Sequence, residues 1–218
     1  MSIRLDAIAP DFTVDSTAGK ITLHDWIGDS YAILFSHPKD FTPVCTTEFG
    51  AVAQLVPEFA KRNTKVMGVS VDSVEEHQKW KRDIEAFSGA EADFPIIDDT
   101  SLQVSKLYDM LPAGAYLPDN RTPANTATVR TVFIIGPDKK VRLTMSYPMS
   151  VGRNFAEILR ALDAIQITDG QSIATPANWV PGEDVIVALG LNDDQAKEKF
   201  GDLDIKLPYL RFTKTPQK

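Results

Sequence analysis

Short apolar runs alternate along this chain with segments in which apolar residues recur every three or four positions. The runs predict buried strands, and the three-or-four spacing predicts amphipathic helices. The predicted strands are Tyr31–Ser36, Lys65–Val71, Phe94–Asp98, Thr131–Ile135 and Lys140–Ser146. The predicted helices run from Val44 to about Arg62, from a cap at Ser73 to about Phe87, over Ser101–Tyr108, and from Arg153 to about Ile167.

The order of these elements indicates the class of fold. Strand and helix alternate at first, which is typical of a parallel α/β sheet. The last two strands are joined by a short turn rich in polar residues, which predicts a hairpin and therefore a mixed sheet. Pro57 should kink the helix that contains it. Residues 109–129 carry several prolines and are expected to form a long irregular loop.

The end of the chain has a different character. Residues 171–218 are rich in turn formers, with one predicted strand, Val185–Leu189, and one predicted helix, Asp193–Phe200. Because this tail has few apolar residues, we expect that it makes no core of its own.

Charge and cysteine content narrow the function. Lys and Arg total 23 against 30 for Asp and Glu, a net charge of −7, which argues against nucleic acid and anionic membranes as partners. The first residues lack a secretory signal pattern, and no apolar run approaches the ~20 residues of a membrane span, so a cytoplasmic protein is expected. A single cysteine, Cys45, excludes an intramolecular disulfide, a CxxC pair and a multi-cysteine zinc site.

Cys45 follows a sequence that starts a helix. Thr42 suits the N-cap and Pro43 the first helical position, so Cys45 falls in the first turn. Free N–H groups and the positive end of the helix dipole favour a thiolate there. The alternative is that Cys45 is a small buried hydrophobe, the commonest environment of a lone cysteine.

The residues around Cys45 resemble a known pattern. Pro38-x-x-x-Thr42-x-x-Cys45 after an apolar strand resembles the active-site motif of the peroxiredoxin family, and residues 35–48 are similar to its one-cysteine subfamily. Further similar segments, which extend the resemblance over nearly the whole chain, are Ala9–Phe12, Arg130–Pro137, Gly152–Phe155 and, in the tail, Trp179 and Pro208–Phe212.

The resemblance implies a thioredoxin-like α/β fold with a mixed central sheet over residues 1–167. A small C-terminal extension, residues 168–218, would follow, and in the subfamily it packs against the partner of a homodimer. The expected function is a thiol-dependent peroxidase of antioxidant defence, acting on hydrogen peroxide and organic hydroperoxides without metal or organic cofactor.

The expected chemistry assigns roles near Cys45. The thiolate attacks a peroxide oxygen and becomes sulfenic acid, while the leaving oxygen gains charge that donors must stabilise. The sequence places the Thr42 hydroxyl and the Cys45 backbone N–H for this task. The resemblance identifies Arg130 as the catalytic arginine, and Pro38 as a shield against water. Otherwise Arg130 would be a surface residue and Pro38 a plain turn proline.

Three further residues are supporting candidates. The resemblance matches His37 to a histidine that hydrogen-bonds the reacting sulfur, although a structural histidine is an equal interpretation. Glu48, one turn beyond Cys45, is placed to orient Arg130. Arg153 matches a second motif arginine. The alternatives are a solvated helix residue for Glu48 and a surface residue for Arg153.

Two other functions are compatible with the sequence. The segment Gly28–Ala32 partly resembles a hydrolase nucleophile elbow around Ser30, and the resemblance to the subfamily matches His24 and Asp138 to the partners of that serine. However, Ala32 replaces the last glycine of the elbow, and Ser30 precedes the strand that it should follow. A non-enzymatic binding module with an inert Cys45 is the other. For the peroxidase, the missing second cysteine predicts recycling by an external thiol, such as glutathione, or another reductant.

Overall fold

The computed structural model describes residues 3–116 and 126–216. The chain divides into two compact units, Met1–Phe155 and Ala156–Lys218. The sequence boundary after residue 167 concerns folding domains, and it stays a prediction. Within the described ranges, no helix combines the length and hydrophobicity that crossing a bilayer requires.

The first unit is built on a seven-stranded mixed sheet, counted over the described residues. Its strands are β1 (Thr13–Ser16), β2 (Gly19–Thr22), β3 (Tyr31–Ser36), β4 (Thr64–Ser70), β5 (Ile96–Asp98), β6 (Arg130–Ile135) and β7 (Val141–Tyr147). The order is β2-β1-β5-β4-β3-β6-β7, with β3, β4 and β5 parallel and the other pairs antiparallel. The α/β class, the hairpin and the mixed sheet are thus confirmed.

Central strands β3 and β6 are almost wholly buried, as their apolar runs predict. The hairpin of β1 and β2, followed by the short helix α1 (Leu23–Ile27), was not predicted. Its strands have only four residues each and contain no apolar run.

Helix α2 (Pro43–Lys61) begins after Thr42 and continues past Pro57. Helix α3 (Val74–Ser88) starts in a capping box in which Ser73 and Glu76 bond each other's backbone N–H groups. Helix α4 (Gln103–Leu107) is short, and a 3₁₀ turn at Ala113–Tyr116 opens the predicted irregular loop. Residues 117–125 of that loop lie outside the described residues.

The second unit contains most of helix α5 (Phe155–Thr168) and a small antiparallel sheet. Its elements are β8 (Ile173–Ala174), β9 (Val185–Val187), α6 (Asp193–Phe200), β10 (Asp204–Leu207) and β11 (Leu210–Thr213), with strand order β10-β11-β9-β8. Helix α6 is confirmed at both ends, and the strand from Val185 is two residues shorter than predicted.

The expectation that the tail makes no core was wrong. Ile173, Trp179 and Val185 form an apolar cluster, joined by Ala164, Ile167 and Phe200. The apolar residues of the tail alone are few, but α5 supplies part of this cluster through Ala164 and Ile167. The large side chain of Trp179, which is 1% exposed, fills a volume in this core that would otherwise need several smaller apolar side chains.

Candidate active site

The predicted nucleophile lies where the central sheet meets a helix. Strand β3 ends at Ser36, the loop from His37 to Thr42 follows, and Cys45 is the third residue of α2. The side chain of Cys45 is completely buried. The free N–H groups of this helix start lie in the same turn as the sulfur.

Arg130 reaches Cys45 through sheet topology. Strands β3 and β6 are antiparallel, and Phe35 pairs with Val132, so Arg130 at the start of β6 lies beside the end of β3. Its Nη1 is 3.4 Å from Sγ of Cys45, and its Nε donates to the carbonyl of Met149 at 2.7 Å. The guanidinium is therefore held between the backbone and the sulfur.

Glu48 binds two buried arginines at once. Its Oε2 lies 2.6 Å from Nη1 of Arg130 and 2.7 Å from Nη2 of Arg153. Its Oε1 accepts from the backbone N–H and Nε of Arg153 at 2.7 and 2.9 Å. Burial opposes ionisation, but the hydrogen bonds and charge of Arg153, together with Arg130, hold the pKa of Glu48 below its ordinary value.

Arg153 ties this cluster to the sheet. Its Nη1 donates to the carbonyls of Ser36 and Thr131, at 2.8 and 3.2 Å, and its guanidinium lies 5.1 Å from the ring centre of Phe35. Burial lowers the pKa of Arg153, and Glu48 opposes that effect. One carboxylate thus balances one of the two guanidinium charges, so a net positive charge remains beside Sγ of Cys45.

The structure places Thr42 at the N-cap position, but its side chain caps no helix N–H. The Thr42 hydroxyl donates instead to the carbonyl of Lys39 at 2.9 Å. Pro38 is buried, between the end of β3 and this turn. Both residues are thus in the loop that leads to Cys45.

His37 is fully buried, and its ring stacks on Trp80 at 5.0 Å. Its Nε2 lies 2.7 Å from Asp40, and its Nδ1 has no hydrogen-bond partner. Asp40 also contacts His77, 2.6 Å away. Neither Asp40 nor His77 was predicted from the sequence as a site residue, although Asp40 lies inside the motif loop.

In the described part of the chain, His37, Asp40 and His77 are also the one group of three or more potential metal ligands that lie together, with one ligand atom of each within 4.8 Å of the others. The nitrogen–oxygen distances of 2.7 and 2.6 Å are those of charge-assisted hydrogen bonds. The carboxylate thus bonds one nitrogen of each imidazole, which accounts for the close approach of the three residues, while Nδ1 of His37 is left without a partner.

The hydrolase candidates have separate partners. The Ser30 hydroxyl donates to the carbonyl of Ile27 at 2.6 Å, and Nε2 of His24 lies 2.7 Å from the carbonyl of Ala9. Asp138 accepts from Arg142 at 3.0 Å. No hydrogen bond joins Ser30, His24 and Asp138, all of which lie within the described ranges, so the structure assembles no triad from them.

Comparison with known proteins supports a single family. The model of the AhpC/TSA family matches residues 5–144, and that of the C-terminal domain of 1-Cys peroxiredoxin matches residues 164–202. Peroxiredoxin-6 of Mus musculus is 48% identical over 218 residues, which cover 95% of this chain and 96% of the relative.

Two solved structures are similar over almost the entire chain. A cysteine-to-serine mutant of the Peroxiredoxin 6 of Arenicola marina has a TM-score of 0.91 and 43% identity, covering 100% of both chains. A yeast mitochondrial 1-Cys peroxiredoxin has a TM-score of 0.89 and 50% identity, covering 97% of this chain and 99% of the other. That structure concerns its thiol resolving mechanism via glutathione/thioredoxin systems.

Proposed function

Since the chain belongs to the AhpC/TSA family and is a one-cysteine peroxiredoxin, a thiol-dependent peroxidase of thioredoxin-like fold, we propose that Cys45 is its peroxidatic nucleophile and Arg130 its catalytic arginine. The observation that carries this assignment is the 3.4 Å distance from Arg130 Nη1 to the buried Sγ at the start of α2. This contact places the nucleophilic sulfur beside a fixed cation, in a part of the protein from which water is excluded.

The proposed reaction follows from that geometry. The Cys45 thiolate attacks one oxygen of the hydroperoxide, the O–O bond breaks, and the sulfur becomes sulfenic acid. The leaving oxygen carries the electron pair of the broken bond and takes a proton to leave as alcohol or water. Arg130 stabilises the developing charge, and because Glu48 and Met149 already hold its guanidinium, little reorganisation accompanies the reaction.

The remaining residues have narrower proposed roles. Thr42 and the Cys45 N–H orient the peroxide, which requires the Thr42 hydroxyl to turn from the Lys39 carbonyl that it meets now. Pro38 keeps water from the sulfur, and Glu48 with Arg153 holds Arg130 in place. These roles are supported by the burial of Pro38 and by the ion pairs of Glu48.

We propose an external thiol as the reductant, because Cys45 is the chain's single cysteine. The yeast relative, which uses glutathione/thioredoxin systems, supports both small and protein thiols as candidates. The thiol attacks the sulfenic acid to give a mixed disulfide and water, and a second thiol then releases Cys45.

Intact-mass measurement tests this function. One equivalent of hydrogen peroxide should add a single oxygen atom to the folded protein. One equivalent of glutathione should convert that product to a mixed disulfide, which excess glutathione should return to free Cys45. Cys45→Ser should show neither change, whereas Ser30→Ala should behave as the wild type. A disulfide-linked dimer as the main product would refute the one-cysteine mechanism, and an unchanged mass would favour a binding module.

We also propose that the protein is a homodimer, as the resemblance implies. Strand β7 ends the strand order of the large sheet over the described residues, and on its outer side Val141 bonds Asp6 and Ala7. The rest of an edge strand of this kind is open to pairing with a second chain. Sedimentation velocity of the reduced protein should give twice the chain mass of 24.1 kDa. A species of 24.1 kDa at micromolar concentration would contradict the dimer.

The location of the protein is a separate proposal. The sequence predicts a cytoplasmic protein, while the similar yeast protein is mitochondrial.

The net charge of −7 supports the prediction that nucleic acid and membranes are not partners.

A further inference from the structure

A second group of buried polar side chains, His37, Asp40 and His77, lies beside the proposed site, and the mechanism above uses none of them. Oδ1 of Asp40 is 2.7 Å from Nε2 of His37, and Oδ2 is 2.6 Å from Nδ1 of His77. The other ring nitrogen of His77, Nε2, is 3.0 Å from the carbonyl oxygen of Ile97. His37, Asp40 and His77 are at most 2% exposed.

The partners of His77 determine its protons. A carbonyl oxygen and an ionised carboxylate can only accept hydrogen bonds, so both ring nitrogens of His77 must donate. His77 is therefore an imidazolium paired with Asp40. Burial works against this charge, but the hydrogen bond and charge of Asp40 outweigh it and raise the pKa of His77. Burial likewise opposes ionisation of Asp40, yet both histidines hold its pKa below the ordinary value.

The proton of His37 is determined in the same way. Its Nε2 donates to the second oxygen of Asp40. Burial lowers the pKa of His37 despite Asp40, and the charge of His77 lowers it further, so the ring is neutral. Nδ1 is then a bare acceptor, buried and without a partner. Buried polar atoms of this kind are rare in folded proteins and require an explanation.

The ring of His37 lies against the start of α2. Its centre is 4.5 Å from that of Phe49, which is four residues after Cys45 and so on the same helix face. It also stacks on Trp80, whose Nε1 donates to the hydroxyl of Thr46 at 3.1 Å. The ring of His37 therefore packs on the helix that carries the reacting sulfur, and its second neighbour, Trp80, bonds the residue after Cys45.

The charged groups around the ring come from three elements. Asp40 lies in the loop that also carries His37, His77 lies on α3, and Asp72 follows β4. Asp72 accepts the backbone N–H of Asp40 at 2.9 Å and adds negative charge near both rings. From α2 the ring meets uncharged Phe49. The charge of His77 is thus the main counterweight to two carboxylates.

We propose that Asp40 and His77 are positioning residues for the thiol-dependent half of the reaction, because they keep the proton of His37 on Nε2 and leave Nδ1 to accept the O–H of the Cys45 sulfenic acid. This inference rests on the proposed function of Cys45. The incoming thiol forms a bond to Sγ, the S–O bond breaks, and the hydroxyl leaves as water with the thiol's proton. A hydrogen bond from the hydroxyl to Nδ1 orients the S–O bond for that displacement.

The role of the His77 imidazolium is to balance the negative charge of the Asp40 carboxylate. Without the imidazolium, the full charge of Asp40 would attract a second proton to His37, and Nδ1 would change from acceptor to donor. His77→Gln should therefore give the thiol step a new acid limb. The double variant Asp40→Asn/His77→Gln removes both charges and should restore a neutral His37.

Two measurements on the full chain test the proposal. Nitrogen-15 NMR of the imidazoles in the reduced protein should show His77 doubly protonated and His37 protonated on Nε2 alone. The chain has three histidines, so His24→Gln completes the assignment and serves as the kinetic control. Rapid-mixing rates should then separate oxidation of Cys45 by hydrogen peroxide from reduction of the sulfenic acid by glutathione.

In His77→Gln we expect the glutathione step to slow about tenfold on the acid side, the usual weight of one hydrogen bond, with the peroxide step little changed. The double variant should recover most of that loss. A proton on Nδ1 of His37 in the wild type would overturn the proposal, as would equal slowing of both steps at every pH in both variants. Failure of the proposed function would appear differently, as absence of Cys45 oxidation in the wild type, and would leave the NMR result standing.

Discussion

Replacement of Arg130 by lysine should slow the oxidation of Cys45 by hydrogen peroxide about 10²–10³-fold, the usual cost of removing one preorganised donor from a developing negative charge. Lysine keeps the positive charge but not the planar guanidinium. Arg130 uses that plane to reach Sγ, Glu48 and the Met149 carbonyl together. A single ammonium group on a flexible chain cannot hold these positions at once.

The rate is measured by quenching the reaction and counting free Cys45 thiol by mass spectrometry. Arg142→Lys is the matched control, since Arg142 also pairs with a carboxylate, that of Asp138, but on β7. Its rate should stay within about twofold of the wild type. If Arg130→Lys reacts as fast as Arg142→Lys, the assignment of Arg130 as catalytic arginine fails.

Replacement of Glu48 by glutamine should lower the free energy of unfolding by about 3–5 kcal/mol, because it leaves buried arginines without a counter-charge. The Arg130 and Arg153 side chains are 3% and 0% exposed, so solvent cannot compensate them. Denaturant titration measures the change. Glu157→Gln breaks a half-exposed pair with Arg160 and should cost within about 1 kcal/mol. Equal effects of the two variants would contradict the argument.

Glu48 should also determine how the free energy of unfolding falls with pH in acid. The pKa of Glu48 lies below its ordinary value, so its contribution to stability is fully present above about pH 4.3 and is lost as pH falls through the lowered pKa. The wild type should therefore lose stability more steeply below about pH 4 than Glu48→Gln. Asp40, whose pKa is also lowered, should leave part of this acid dependence in the variant.

The sequence predicted the elements that bury many apolar side chains. Strands β3, β4 and β6 and helices α2 and α3 have clear patterns, and α3 also has the Ser73 cap. The hairpin of β1 and β2 was missed because its strands are four residues long. Most of the second unit's sheet was missed for a similar reason, since every residue of β10 is exposed and β8 has two residues.

The residues of the site also differ in how far the sequence could predict them. Thr42, Pro43 and Cys45 are local to one turn, so capping rules could place them. Arg130 is 85 residues away from Cys45 and needed either the sheet register or a family resemblance. Asp40 and His77 were missed because a hydrogen bond between residues 37 apart leaves no periodic pattern.

Because the side chain of Cys45 is completely buried, the size of a reacting molecule determines whether it can reach Sγ. A hydroperoxide needs room for two oxygen atoms near Sγ, whereas a reducing thiol must bring its own sulfur to about 2.05 Å. We therefore expect the Thr42 end of the first turn of α2 to open before a thiol can reach the sulfenic acid, while Cys45 itself stays beside His37. Because the Thr42 side chain caps no helix N–H, opening of this turn costs less free energy than it would with a hydroxyl bonded to the first N–H groups. The oxidised protein should then persist longest with bulky thiols, and first-turn amides should exchange hydrogen faster than those of the rest of α2.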